Sequence, residues 1–128
     1  MTAVANILCV DDDRNVVALK KAILEEAGHK VTSCDSVEEA VSELNRGVYD
    51  AVVTDWRLGE ESGHAVVQAA RATPGVPVVV VSGYMAEAFQ AAKPLADIYL
   101  EKPADARELV QILNTLLKAR AGKRESLE

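Results

Sequence analysis

The sequence predicts a doubly wound α/β domain: a parallel five-stranded sheet covered by helices on both faces. Three observations carry that prediction. Short β-rich runs alternate five times with segments of helical periodicity. The middle runs are almost continuously apolar, as strands buried on both faces must be. Four of the runs end on polar residues, which in an open parallel sheet gather along one edge.

The first strand is expected over residues 5–10 (ANILCV) and runs straight into Asp11, Asp12 and Asp13. A helix over 14–27 follows, with Val16, Leu19, Ile23 and Ala27 at helical spacing, Asp13 as N-cap and Gly28 as stop. The second strand, 30–34 (KVTSC), leads to a helix over 36–46. There Ser36 as N-cap and Glu39 three residues later form a capping-box pattern ahead of the stripe Val37, Ala40, Val41 and Leu44. The runs 49–54 (YDAVVT) and 76–81 (VPVVVV) read as central strands, and 97–101 (DIYLE) suits an edge. Helices near 63–72, 85–93 and 104–119 complete the pattern, the last with Leu109, Ile112, Leu113, Leu116 and Leu117 on one side. Right-handed crossovers restrict the topology further. No repeat or internal linker divides the chain, so one domain is expected over 1–119, with 120–128 a loose tail and no output domain.

Composition narrows the function. A chain of 128 residues with 49% hydrophobic content supports one proper core, and with 4% aromatics that core is packed mainly by Val, Leu, Ile and Ala. A net charge of −6 argues against direct nucleic-acid binding, because phosphates repel an acidic surface. No segment resembles a signal peptide, and no apolar run approaches the roughly 18 residues a membrane helix needs, so a cytoplasmic protein is expected. Cys9 and Cys34 lie on separate strands without CxxC spacing and read as buried free thiols. His29, in a turn, and His64, near a helix start, read as surface residues, and Trp56 as loop packing. The basic run KARAGKR, 118–124, reads as a solvated helix end whose cations suit the helix dipole.

The strand ends carry the chemistry. Asp11, Asp12 and Asp13 follow the first strand, Asp55 the third, Ser82 and Gly83 the fourth, and Lys102 and Pro103 the fifth. Carboxylates without His or Cys beside them suit a hard divalent cation, and Mg²⁺ is the natural choice because it accepts a few carboxylates and bridges phosphate oxygens. Asp55 at the end of a central strand can attack phosphorus and become an acyl phosphate. Lys102 offers a point charge to phosphoryl oxygens and Ser82 a hydrogen bond. Together these residues describe a phosphoryl-transfer site with its acceptor built in.

The segments ILCVDDD, DAVVTDW, VVVVSGY and YLEKP, in that order, resemble the receiver domain of bacterial two-component response regulators, over about residues 5–119. The resemblance implies a flavodoxin-like sheet of order 2-1-3-4-5 with five helices, and a phosphorelay role. By position, Asp12 would ligate Mg²⁺ directly, Asp11 would act mostly through water, and the backbone carbonyl of Arg57 would be a further ligand. Asp55 would take its phosphoryl group from a histidine kinase or phosphotransfer protein, then lose it slowly without turning over an external substrate. Ser82 and Tyr99 would move as a switch, Lys102 would hold the phosphoryl group, and the Lys102–Pro103 peptide would be cis. The switched face, made by the fourth helix, fifth strand and fifth helix, would meet an unknown output partner or pair two copies of the chain. Arg57 and Tyr84 occupy the positions that tune phosphoryl lifetime in this family, and both are bulky enough to shield the site.

One segment departs from the family. Its phosphoacceptor is usually followed by a stretch ending MPxxDG, whereas residues 58–63 here read LGEESG. Gly59 in place of proline predicts a more mobile loop, and Ser62 in place of aspartate still offers a helix cap. Three rival readings remain. One is a degenerate receiver that binds partners constitutively. Another is a flavodoxin-like cofactor binder, which would want a phosphate-cradling Gly-rich loop that the chain lacks. The third is an aspartate-nucleophile phosphatase, which would want a general acid where Arg57 stands.

Overall fold

A computed structural model describes residues 4–90, 96–102 and 105–127, excluding the side chains of Phe89 and 123–127. The expected cis peptide at Pro103 lies outside these residues. Five strands form a parallel sheet: β1 (Asn6–Val10), β2 (Lys30–Cys34), β3 (Ala51–Asp55), β6 (Val78–Ser82) and β7 (Ile98–Glu101). Their spatial order is β2-β1-β3-β6-β7, which is 2-1-3-4-5 when only these strands are counted. The labels β4 (Arg57–Leu58) and β5 (Glu61–Ser62) belong to a small antiparallel hairpin the sequence did not announce. Helices α1 (Arg14–Glu26), α2 (Val37–Arg46), α3 (His64–Ala70) and α4 (Met85–Phe89) lie in the connections between strands of the sheet, and α5 (Ala106–Leu127) follows β7.

Strand alternation sends successive residues to opposite faces, so the sheet has two cores. Leu8, Val10, Val52, Val78 and Val80 pack with α2, α3 and α4 through Val37, Ala40, Val66, Val67 and Ala88. Ile7, Cys9, Val53, Val79 and Val81 pack on the other face with α1 and α5 through Val17, Leu24, Leu109 and Leu113. As expected, β3 and β6 are buried along their whole length and β7 is a half-buried edge. Both cysteines are buried and free, on opposite cores. Burial pushes the Cys9 thiol up to about 11 and the Cys34 thiol up to about 12, so neither is a reactive thiolate near neutrality. Asp13 and Ser36 are the caps their positions suggested: Asp13 Oδ1 accepts from Asn15 N at 2.9 Å, and Ser36 Oγ from Glu39 N at 3.2 Å.

Three expectations need correction. α5 does not stop near 119 but continues to Leu127, because 118–127 is rich in strong helix formers and only Gly122 opposes them. Within that stretch Arg120 is not solvated: its side chain is 11% exposed and donates to the Asp50 carbonyl at 3.0 Å. His29 is not a surface residue either, being 4% exposed. Gly28, at φ +99°, turns the chain so that His29 lies over the start of β1. Its Nδ1 accepts from Ala5 N at 3.2 Å, which places the ring proton on Nε2, 2.9 Å from Asn114 Oδ1 on α5. One imidazole thus ties β1 and the α1–β2 turn to the last helix.

Replacing His29 with alanine strands the buried Ala5 N–H and the half-buried Asn114 side chain. His29→Ala is expected to lower unfolding stability by about 1–3 kcal/mol, seen as a lower urea midpoint with an unchanged m-value.

Candidate functional site

The C-terminal ends of β1, β3, β6 and β7 meet at one edge of the sheet. Asp11, 1% exposed, follows β1; its Oδ1 accepts from Asp13 N at 3.0 Å and its Oδ2 pairs with Lys20 Nζ at 3.1 Å. Asp12 next to it is exposed and accepts from Gly59 N at 3.0 Å. Asp55 closes β3 and is 6% exposed. Its Oδ1 accepts from Trp56 N at 2.8 Å and its Oδ2 takes Lys102 Nζ at 2.6 Å. One oxygen each from Asp11, Asp12 and Asp55 lies within 4.8 Å of the other two, a spacing and donor chemistry that fit a hard divalent cation. Burial pulls the Lys102 ammonium down. The hydrogen bond it donates to Asp55 and the charges of Asp55, Asp11 and Asp12 outweigh it, and its pKa lies above the ordinary lysine value.

Ser82 ends β6, fully buried, and its Oγ accepts from Tyr84 N at 2.8 Å. Its carbonyl accepts from Lys102 N at 2.8 Å, tying the two segments together. Arg57 and Tyr84 touch each other: the guanidinium carbon lies 3.4 Å from the ring centroid. Tyr99, half-buried on β7, accepts from Ala96 N at 3.1 Å and packs against the core that holds α2 and α3. Asp13 stays with its helix cap. His64 is half-buried rather than on the surface, its ring 6.1 Å from that of the buried Trp56.

The departure at residues 58–63 has a structure of its own. The segment folds as the β4–β5 hairpin, with Gly59 at φ +64°. Proline could adopt neither that φ nor donate the N–H that Gly59 gives to Asp12. Ser62 Oγ accepts from His64 N at 3.1 Å, supporting the start of α3 as its position suggested.

Sequence reasoning missed Lys20 and Gly63. Lys20 sits between Val17 and Leu24 on the buried stripe of α1, and a lysine in such a stripe is a legible sign of a buried counter-charge. Gly63 lies against the backbone of Asp55, where an added Cβ would overlap the Asp55 carbonyl oxygen.

Residues 7–114 match the family model of the response regulator receiver domain. The chain belongs to the response regulator receiver family. Phosphorylation-mediated switching in two-component systems is that family's general function. Among curated relatives of this receiver, the transcriptional regulatory protein GlrR of Escherichia coli K12 is 30% identical over 120 residues, covering 91% of this chain and 27% of that protein. The response regulator SaeR of Staphylococcus aureus USA300 is 32% identical over 115 residues, covering 88% of this chain and 50% of that protein. The chain thus spans a quarter to a half of the length of these relatives. Among solved structures, a response regulator receiver protein from Sinorhizobium medicae WSM419 superposes with a TM-score of 0.81 at 30% identity, over 94% of this chain and 99% of the other. NtrX from Brucella abortus superposes with a TM-score of 0.85 at 28% identity, over 97% of this chain and 29% of the other.

Gly63→Ala is expected to cost about 1–3 kcal/mol, because the Asp55 carbonyl is backbone and cannot swing aside. Thermal unfolding would show it. The near-ultraviolet signal of neighbouring Trp56 should change as well.

Proposed function

We propose that Asp55 is the phosphoacceptor of this receiver and that Mg²⁺ binds through Asp11, Asp12, Asp55 and the Arg57 backbone carbonyl. The observation that carries this reading is the convergence of Asp11, Asp12 and Asp55 within 4.8 Å, with Lys102 Nζ 2.6 Å from Asp55. Each Asp55 oxygen accepts one hydrogen bond, which leaves lone pairs for both a metal and an attack on phosphorus. Phosphoryl transfer then forms a P–O bond to Asp55 and breaks the P–N bond of a donor phosphohistidine, the electron pair leaving with the imidazole. When bound, Mg²⁺ supplies charge that offsets the repulsion between carboxylate and phosphoryl group. Lys102 follows the transferred charge from the Asp55 oxygen to a phosphoryl oxygen.

The switch follows from the same charge change. Ser82 would leave Tyr84 N to donate to the phosphoryl group, and Tyr99 would move into the space this opens, remodelling the face of α4, β7 and α5. The partners are a histidine kinase or phosphotransfer protein upstream and an output protein or domain downstream, with pairing of two copies through the same face. Slow self-catalysed hydrolysis, tuned by Arg57 and Tyr84, resets the domain. A cytoplasmic setting accords with the transcriptional regulators among its relatives. Among the described residues, no helix is long and apolar enough to cross a membrane.

Intact mass after incubation with a small phosphodonor and Mg²⁺ tests the acceptor. The wild type should gain one phosphoryl group and Asp55→Ala none; no gain in folded wild type refutes the assignment. Millimolar Mg²⁺ alone should perturb the fluorescence of Trp56, whose backbone N–H binds Asp55 Oδ1 at 2.8 Å. Asp12→Asn should blunt that response, and a flat titration of the wild type would count against the metal site.

A further inference from the structure

The segments that follow Asp55 and Ser82 are joined by a three-residue contact. The Arg57 guanidinium lies over the Tyr84 ring, 3.4 Å from its centroid, and its Nη2 donates to Glu87 Oε2 at 2.9 Å. Arg57 stands on β4, Tyr84 in the β6–α4 connection and Glu87 in the first turn of α4. The strands that lead into these segments are neighbours, with Asp55 in register with Val81. The contact therefore bridges the two connections that flank Asp55 and Ser82. An ion pair between side chains that are each 52% exposed is weak alone, and so is a cation on one aromatic face. Acting on one planar guanidinium, they hold it at two points and fix its orientation.

We propose that Glu87 is a positioning residue that pins Arg57 on Tyr84 as a clasp beside the phosphoacceptor, and that this clasp slows loss of the phosphoryl group by limiting the approach of water. The proposal rests on Asp55 being the acceptor. Hydrolysis forms a bond from the water oxygen to phosphorus and breaks the P–O bond to Asp55. The electron pair returns to the carboxylate, and the water proton leaves with inorganic phosphate. In-line attack brings the water to the side of phosphorus opposite the Asp55 oxygen. Asp55 is itself buried, so that side faces out of the strand edge, where Arg57, Tyr84 and Glu87 are exposed. Without the Glu87 carboxylate the guanidinium keeps its stacking face but loses its anchor on α4. Because Tyr84 N also donates to Ser82 Oγ, the clasp holds the connection to which the Ser82 hydroxyl is bound.

Decay of the phosphorylated protein, followed by intact mass after removal of the phosphodonor, tests this with wild type, Glu87→Gln, Arg57→Ala and the double variant. Glu87→Gln should shorten the half-life about threefold, and Arg57→Ala at least as much. The double variant should decay no faster than Arg57→Ala. Salt at about 0.5 M should speed decay of the wild type and leave Glu87→Gln unchanged, a dependence that a merely structural role would not produce. Decay of Glu87→Gln at the wild-type rate, or an equal effect of Glu87→Gln in the Arg57→Ala background, overturns the clasp while leaving the acceptor intact. Absence of any phosphoryl gain on the wild type overturns the acceptor assignment and the clasp with it.

Discussion

Three carboxylates held within 4.8 Å of one another repel strongly where water is scarce, and the functional edge of this domain is organised around that repulsion. Each acid has its own compensation. Asp11 has Lys20 at 3.1 Å, Asp55 has Lys102 at 2.6 Å, and the exposed Asp12 takes a backbone N–H from Gly59. Two ammonium groups against three carboxylates leave a net negative site, which is what a divalent cation and a phosphoryl group together would use. Removing either lysine would leave a buried acid facing its neighbours with a backbone N–H but no cationic partner.

The partners come from distant parts of the chain, so the charge balance depends on the sheet. Lys20 comes from α1, Gly59 from the β4–β5 hairpin and Lys102 from the end of the edge strand β7. Parallel pairing of β1, β3, β6 and β7 brings all of these segments to one side. The opposite end of the sheet is fastened differently. There His29 joins Ala5 to Asn114, and Arg120 reaches Asp50, locking α5 against the start of the strands. The reactive end has ion pairs inside a crowded set of acids, which a change of charge can rearrange. The other end is held by the hydrogen bonds of His29 and by the ion pairs Arg120–Asp50 and Arg71–Asp97.

Much of this was legible in residue order. Continuous valine runs marked β3 and β6 as central, and the mixed run at Ile98–Glu101 marked an edge. Asp13 and Ser36 announced the helices they cap, because a cap is a contact over two or three residues. The acids, Ser82 and Lys102 were recognisable as one cluster because strand ends in a parallel sheet share an edge. His29, Arg120 and Glu87 were not recognisable in this way. Their partners lie 85, 70 and 30 positions away, and no local pattern encodes such a pairing. The hairpin at 57–62 was not recognisable for a related reason: the N–H that Gly59 donates at a positive φ goes to Asp12, 47 positions away.

By itself the sequence determined the alternation of strands and helices, the two-sided core and the set of chemical groups at the sheet edge. Those follow from periodicity and from where apolar runs stop, which are properties of neighbouring residues. Only the tertiary structure decided which lysine compensates which aspartate, why residue 63 must lack a side chain, and that Arg57, Tyr84 and Glu87 form one contact. Each of these depends on distances between segments far apart in the chain, and those distances exist only once helices and strands have packed.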